Sequence, residues 1–435
     1  MVTFTNARVF DGSAALPGLK KVVLEGDRIA SVSDGPTEGD DANGAIDLGG
    51  MTLMPGLITC HFHSDFYKFT LAEGASGEPL GKERPPGVLM AIGVRNCGVL
   101  LESGFTGYVG AACGHDIDAQ LKMAIGEGII PGPRIRACSA HIGTTGDVND
   151  SVKWWRRFDS PGTDVFVDGP EDMRKMTREF IRRGAETIKI FVSSGHGGLP
   201  WPVARNMDSD EIAAVVQAAH HRGAIVRAHC ATNAMIRECV QLGVDIIDHG
   251  DEIDEEIIGM MAERGTFWTP SLVYPSVMVQ LGWADPDLAG WIANVKRMLP
   301  LAQKAGVRIL AGDDYSGVFR DVLEDDPLDH KVGDYGREFG FYGAVAGLAP
   351  ADILSWGTKN AGQALTGGRD RLGVIEAGAL ADLIVVDGDP LADLSLLARP
   401  QESLKAVIRD GKLVIDRLPP PSPQLEQRLL AAMAK

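Results

Sequence analysis

Cysteine is scarce in this sequence. Six occur among 435 residues, and no two of them form a CxxC pair. Cys60, Cys97, Cys113, Cys138, Cys230 and Cys239 therefore read as reduced, mostly buried thiols. No stretch of 18 or more consecutive apolar residues occurs, so no membrane helix is expected. The opening MVTFTNARVFDG has no charged segment leading into an apolar one, and a cytoplasmic protein is expected. Low-complexity tracts and short repeats are also missing. Excess positive charge is lacking: the formal net charge is −17 and the isoelectric point about 5.0. That balance argues against nucleic acid or an anionic membrane as partner. A small-molecule substrate and a homo-oligomer are expected instead.

What is present is enough chain, at 45% hydrophobic content, for a barrel-sized core and a second small domain. Residues 1–55 alternate in the manner of short strands in VTFTNARVF, KKVVLEGDRIASV and AIDLGGMTLMPG. ADLIVVDGD and LKAVIRDGKLVID, within 361–418, have the same texture. The two ends together predict one small β-sandwich domain. The last stretch, 419–435, reads as a Pro-rich linker and a terminal helix.

Between them, residues 56–360 alternate strand and helix. Candidate strands are GLITCHFH, FTGYVGAA, RIRACSAH, TIKIFVS, AIVRAHC, VDIIDHG, TFWTPSL and VRILAGDD. PEDMRKMTREFIRRG and DSDEIAAVVQAAHHRG read as helices, the second capped by Asp208 or Ser209 and ending at Gly223. Eight such units predict an α/β fold, a parallel (β/α)8 TIM-type barrel. The irregular segments 265–300 and 314–342 are expected as loops over its mouth.

Active sites of such barrels lie at the C-terminal ends of the strands. The first strand ends in His61 and His63, which share a face at i and i+2. The fourth carries Lys189, the fifth ends at His229, the sixth at His249 and the eighth at Asp313. An isolated HxH is weak evidence and reads as well as a polar strand end. Six nitrogen and carboxylate donors at one mouth are stronger, and they suit Zn²⁺ or a similar first-row ion. Lys189 on an inward position is open between pairing with a carboxylate and serving the site.

MPGLITCHFH after a β-rich start, the later His229, His249 and Asp313, and the closing LGVIEAGALADLIVVDGDPLADL resemble the amidohydrolase superfamily of metal-dependent hydrolases over nearly the whole chain. Within it the chain most resembles the imidazolonepropionase-related branch, which also holds Xaa-Pro and other dipeptidases and toxin-degrading amidases. The resemblance implies a binuclear metal centre, most simply two Zn²⁺. His61, His63 and Asp313 would hold one ion and His229 and His249 the other. Lys189, carboxylated by CO₂, and a hydroxide would bridge them. Asp313 would carry the proton from nucleophile to leaving amine. Alternation from Ile309 and Ala311 favours Asp313 over Asp314 for these roles. Mononuclear deaminase relatives lack such a lysine, so Lys189 favours a binuclear hydrolase.

His141 and His196, near the ends of the third and fourth strands, are candidate substrate-binding residues. Val148 stands where the branch usually has a loop histidine, and Ala231 where dipeptidase relatives have a tyrosine. Arg227 should point inward and pair with Asp245 beneath the metals. His220 and His221 read as solvated or as partners of a helix C-terminus. Trp154, Trp155, Trp201, Trp268 and Tyr274 read as loop aromatics that could wall a pocket.

The expected activity is hydrolysis of an amide bond in a small substrate such as a dipeptide or N-acyl amino acid. A deaminase or cyclic amidase of the imidazolonepropionase type, and an esterase or lactonase, are the enzymatic alternatives. A metal-free assembly or binding protein is the non-enzymatic one.

Overall fold

The computed structural model describes residues 1–35, 44–67, 84–147, 149–150, 164–196, 203–280, 287–314 and 330–418. Val148, Trp154, Trp155, Trp201 and the expected linker and terminal helix of 419–435 lie outside them.

The alternating segments at the two chain ends meet in one mixed sheet. Its N-terminal strands are β1 (Val2–Val9), β2 (Lys20–Glu25), β3 (Arg28–Asp34), β4 (Ile46–Asp47) and β5 (Thr52–Pro55). After these come the strands of the middle region. They are β6 (Leu57–Phe62), β7 (Phe105–Gly110), β8 (Arg134–Arg136), β9 (Cys138–Gly143), β10 (Asp164–Phe166), β11 (Thr187–Phe191), β12 (Ile225–Cys230), β13 (Ile246–His249), β14 (Phe267–Thr269) and β15 (Arg308–Ile309). The chain then returns to the mixed sheet with β16 (Leu383–Val386), β17 (Leu404–Arg409) and β18 (Lys412–Asp416).

The mixed sheet runs β18-β17-β16-β5-β1-β2-β3, with β4 added beside β1. Phe4, Val22 and Ile29 from one half join Leu53, Val385 and Ile408 from the other in a single apolar cluster. Burying that shared face is what holds the two chain ends together.

The middle strands pair in parallel as β6-β7-β8 and as β10-β9-β11-β12-β13-β14-β15. Their near-continuous apolar runs fit strands covered on both faces. Backbone hydrogen bonds join the two sheets at both seams: Cys60 N–H donates to Ala311 O at 2.8 Å, and Cys113 N–H to Ser139 O at 3.2 Å. Gly312 makes the first seam possible, because a Cβ there would lie 2.5 Å from the His61 nitrogen.

Helices fill the connections. Ser209–His220 starts at Asp208, whose side chain and that of Glu211 form a reciprocal capping box. The segment expected as mouth loops holds helices instead, at Val273–Gln280 and Leu288–Ala305. Pro300 lies inside the second, and such a residue disguises a helix in sequence. The expected boundary at residue 360 falls within helix Lys359–Thr366. That helix belongs with the parallel strands, since Ala361, Ala364 and Leu365 pack against Ile58, Val109 and Leu310. All six cysteines are buried and free. No helix among the described residues is long and apolar enough to cross a membrane.

Candidate metal centre

His61 and His63 lie at the end of β6 with ring centroids 5.5 Å apart. Their hydrogen bonds fix which nitrogen each presents. The His63 Nδ1–H donates to Ala112 O at 2.9 Å, which turns Nε2 toward Asp314. Ser271 Oγ donates its proton to Gly312 O at 2.6 Å, so it accepts from His61 Nδ1–H at 3.2 Å. The His61 Nε2 lone pair is thereby aimed inward too.

The inward Nε2 atoms of both rings face one carboxylate, that of Asp314. Its Oδ1 lies 2.9 Å from His63 Nε2 and 3.4 Å from His61 Nε2. Among the described residues Asp313, the one expected here, is hydrogen-bonded to neither histidine, and its Oδ2 is buried without a partner. Its Oδ1 accepts from the backbone N–H groups of Val273 and Tyr274 at 3.1 and 3.3 Å. The alternation used to choose it fails because β15 stops at Ile309, and the chain bends through Gly312 before the aspartates. Burial, with help from the charge on Asp314, pushes the Asp313 carboxyl up to about 7.

His229 and His249 complete the cluster from β12 and β13, their rings 4.4 Å apart. His249 lies 5.3 Å from the His61 ring. His249 has φ +69°, a conformation rare outside glycine, and Trp268 Nε1–H holds its carbonyl at 2.8 Å. Burial, then neighbouring cations and histidines, holds His61, His229 and His249 well below the usual imidazole range, so they are neutral.

Lys189 projects from β11 onto Asp248, with Nζ 2.5 Å from Oδ2. Arg227 grips the same carboxylate through Nε at 3.0 Å and Nη2 at 2.6 Å, and its Nη1 donates to Gly110 O. The three side chains are fully buried beneath the histidines. Asp248 is thus the partner of Arg227. Asp245, the expected partner, precedes β13 and accepts from Val226 N–H and His220 Nε2 instead. Burial opposes ionisation of Asp248, but Arg227 and Lys189 outweigh it and keep the carboxylate charged.

His141 lies beside the cluster, its ring 5.8 Å from that of His63 and its Nδ1 2.7 Å from Asp164 Oδ1. Burial pushes His141 down to about 4 despite Asp164, so Nδ1 keeps the proton and Nε2 is an acceptor. His196 is not available to a substrate. Its Nδ1 meets Asp251 at 2.8 Å, its Nε2 meets Ser271 O at 3.1 Å, and its ring stacks on His249 at 3.8 Å. Trp268 is a fully buried strand residue rather than a loop aromatic. Two buried residues carry no signal in sequence: His330, whose Nε2 donates to His63 O at 3.2 Å, and Glu338, which accepts from Gly312 N–H at 2.9 Å.

The donor set fits metal ions. Ligand atoms of His61, His249 and Asp314 all lie within 4.8 Å of one another. His229 Nε2 and both ring nitrogens of His249 are buried with no hydrogen-bond partner. Each such orphan costs about 1–3 kcal/mol unless something coordinates it.

The sequence profile of the amidohydrolase family matches residues 52–414. The chain belongs to that family. An ochratoxinase from Aspergillus niger is 25% identical over 394 residues, covering 83% of this chain and 75% of that one. A solved prolidase complexed with N-methylphosphonate-L-proline is 29% identical, with a TM-score of 0.78 over 95% of this chain and 99% of that one. A Xaa-Pro dipeptidase with methionine bound in its active site is 25% identical, with a TM-score of 0.79 over 95% and 99%. As an amidohydrolase the chain is an enzyme, a hydrolase acting on carbon–nitrogen bonds.

Proposed function

We propose that this amidohydrolase cleaves an amide bond in a small substrate such as a dipeptide or N-acyl amino acid, in a closed (β/α)8 barrel carrying two metal ions. The observation that carries the reading is the convergence of His61, His63, His229, His249 and Asp314 in one buried cluster with orphaned imidazole nitrogens. The prolidase, dipeptidase and ochratoxinase likenesses support an amide substrate.

His61, His63 and Asp314 would hold one ion, and His229 and His249 the other. The ions, most simply Zn²⁺, would polarise the carbonyl and acidify a water near neutral pH. Lys189 would join them as a carbamate. Its pKa is lowered by burial, against the pull of Asp248, and the free amine adds to CO₂ with loss of one proton. Asp248, itself held by Arg227, would then accept from the Lys189 N–H. Asp314 is the group placed to take a proton from the attacking water and return it to the leaving amine. His141 Nε2, as an acceptor, would receive an N–H of the substrate.

A panel of dipeptides, N-acyl amino acids, cyclic imides, esters and aminated heterocycles tests this. Linear amides should be cleaved, and His141→Ala should raise KM more than it lowers kcat. Ammonia release from a heterocycle with no cleavage of linear amides would replace the proposal with a deaminase.

A further inference from the structure

The starts of the strands, opposite the histidine cluster, line a second cavity of about 660 Å³. Ile225, Phe267 and Arg308 open β12, β14 and β15 there, while His229 lies at the far end of β12 and Asp314 beyond the far end of β15. The residues 367–376 that lead back to the mixed sheet form its other wall.

Four cations line it: Arg136, Arg308, Lys359 and Arg371, the last of them paired with Glu376. Arg136 is 3% exposed, and its Nε has no hydrogen-bond partner. Its Nη1 donates to Ala364 O at 2.8 Å. Arg308 lies flat over Phe267 at 3.9 Å and donates to Gly265 O. Among the described residues, Lys359 Nζ reaches only Ser13 Oγ, at 3.1 Å.

The carboxylates of the same wall are taken by others. Asp370 holds Arg28 through two bonds of 2.9 and 2.8 Å. Glu376 pairs with Arg371 at 3.0 Å, and Asp245 with His220 at 2.8 Å. Asp11 accepts from the N–H groups of Ser13 and Ala14 in its own turn. Among the described residues, no carboxylate lies within 4.0 Å of the charged groups of Arg136, Arg308 or Lys359. A guanidinium stays charged at any physiological pH, and a buried one without a counter-charge is destabilising. That cost falls on Arg136, and an anion in the cavity would remove it while also meeting the half-buried Arg308 and the exposed Lys359.

We propose that this cavity binds a small, multiply charged oxyanion with an organic body, of the phosphate-ester or polycarboxylate class. Arg136 and Arg308 supply planar N–H edges suited to either group, and Lys359 a point charge at the rim. Leu372, Ile375 and the Phe267–Arg308 stack give the organic body an apolar wall. The volume is that of a small-molecule site rather than a single-ion niche.

The test is calorimetry on the metal-loaded enzyme with inorganic phosphate, phenyl phosphate and tricarballylate, against sodium chloride at matched ionic strength. At least one organic probe should bind with Kd of about 1 mM or tighter. Lys359→Gln and Arg308→Gln should each weaken it about tenfold or more while leaving amide turnover at the parent's level. Lys359 is exposed, so its loss does not threaten folding. Tighter binding of phenyl phosphate points to a phosphoryl ligand, and tighter binding of tricarballylate to a carboxylate; both support the site. No binding beyond the salt control, or binding that both substitutions leave unchanged, would overturn it.

Discussion

The carboxylate of Asp314 lies 2.9 Å from Nε2 of His63, while the adjacent Asp313 spends its oxygen on the backbone of Val273 and Tyr274. One peptide unit separates a group in the proposed chemistry from a group that shapes the loop above it. Asp314→Asn should therefore lower kcat by roughly two to four orders of magnitude, the scale of a general acid–base group. Asp313→Asn keeps an acceptor for both N–H donors and should be much milder. Steady-state kinetics on the two variants checks this, and the reverse ranking would return the role to Asp313.

Lys189 is paired with Asp248, yet the proposed carbamate needs its amine free to meet CO₂. Lys189→Ala should lose bound metal and activity together. Bicarbonate with a short-chain carboxylic acid should restore part of both. Elemental analysis beside turnover is the measurement, and a fully active Lys189→Ala enzyme would remove the carbamate from the account.

Arg227, Asp248 and Lys189 form a fully buried triad in which one carboxylate serves two cations. In the metal-free protein with Lys189 unmodified, Asp248→Asn leaves both without their counter-charge and should cost about 3–5 kcal/mol of stability. Asp245→Asn, at the half-buried start of the same strand, should cost about 1 kcal/mol. Urea unfolding of the two variants ranks them. Equal losses would mean that Asp248 is not the electrostatic keystone.

Five buried histidines, among them His141 at about 4, give the metal-stripped protein an acid-sensitive fold. His61, His229 and His249 lie well below the ordinary 6.5, and burial pushes His330 down to about 4. Below pH 6.5 the unfolded chain takes up protons that the folded chain refuses. Stability is therefore full above that pH and falls as pH drops, by up to about 1.4 kcal/mol per pH unit for each histidine. Unfolding in chelator at pH 8, 6 and 5 should show this slope, and His330→Gln should flatten it. A pH-independent midpoint would contradict the neutral assignments.

Much of this was legible in the sequence because the strands are apolar runs ending in histidine. HFH, RAHC and IDHG mark the ends of β6, β12 and β13, and the structure brings all of their histidines together. Two failures, at Asp248 and at Asp314, share one physical origin. Strand alternation assigns a face to each residue only while the backbone stays extended. At His249 φ turns positive, so Asp248 reaches inward to Arg227 while His249 also meets the cluster. At Asp313 and Asp314 the strand has already ended. His196 was misread for another reason: glycines around it suggested access to a ligand, whereas both its nitrogens are engaged by Asp251 and Ser271. His330 and Glu338 act on the site through backbone atoms of distant segments, which no local pattern announces.

The central claim is that the histidine cluster holds metals which make a linear amide cleavable. Metal content per chain, measured on the same sample as turnover of a dipeptide or N-acyl amino acid, tests it most directly. The account predicts two equivalents per chain, loss of turnover when a chelator removes them, and recovery when Zn²⁺ is returned. Undiminished amide cleavage by metal-free protein, or a single equivalent accompanied only by ammonia release from a heterocycle, would contradict it.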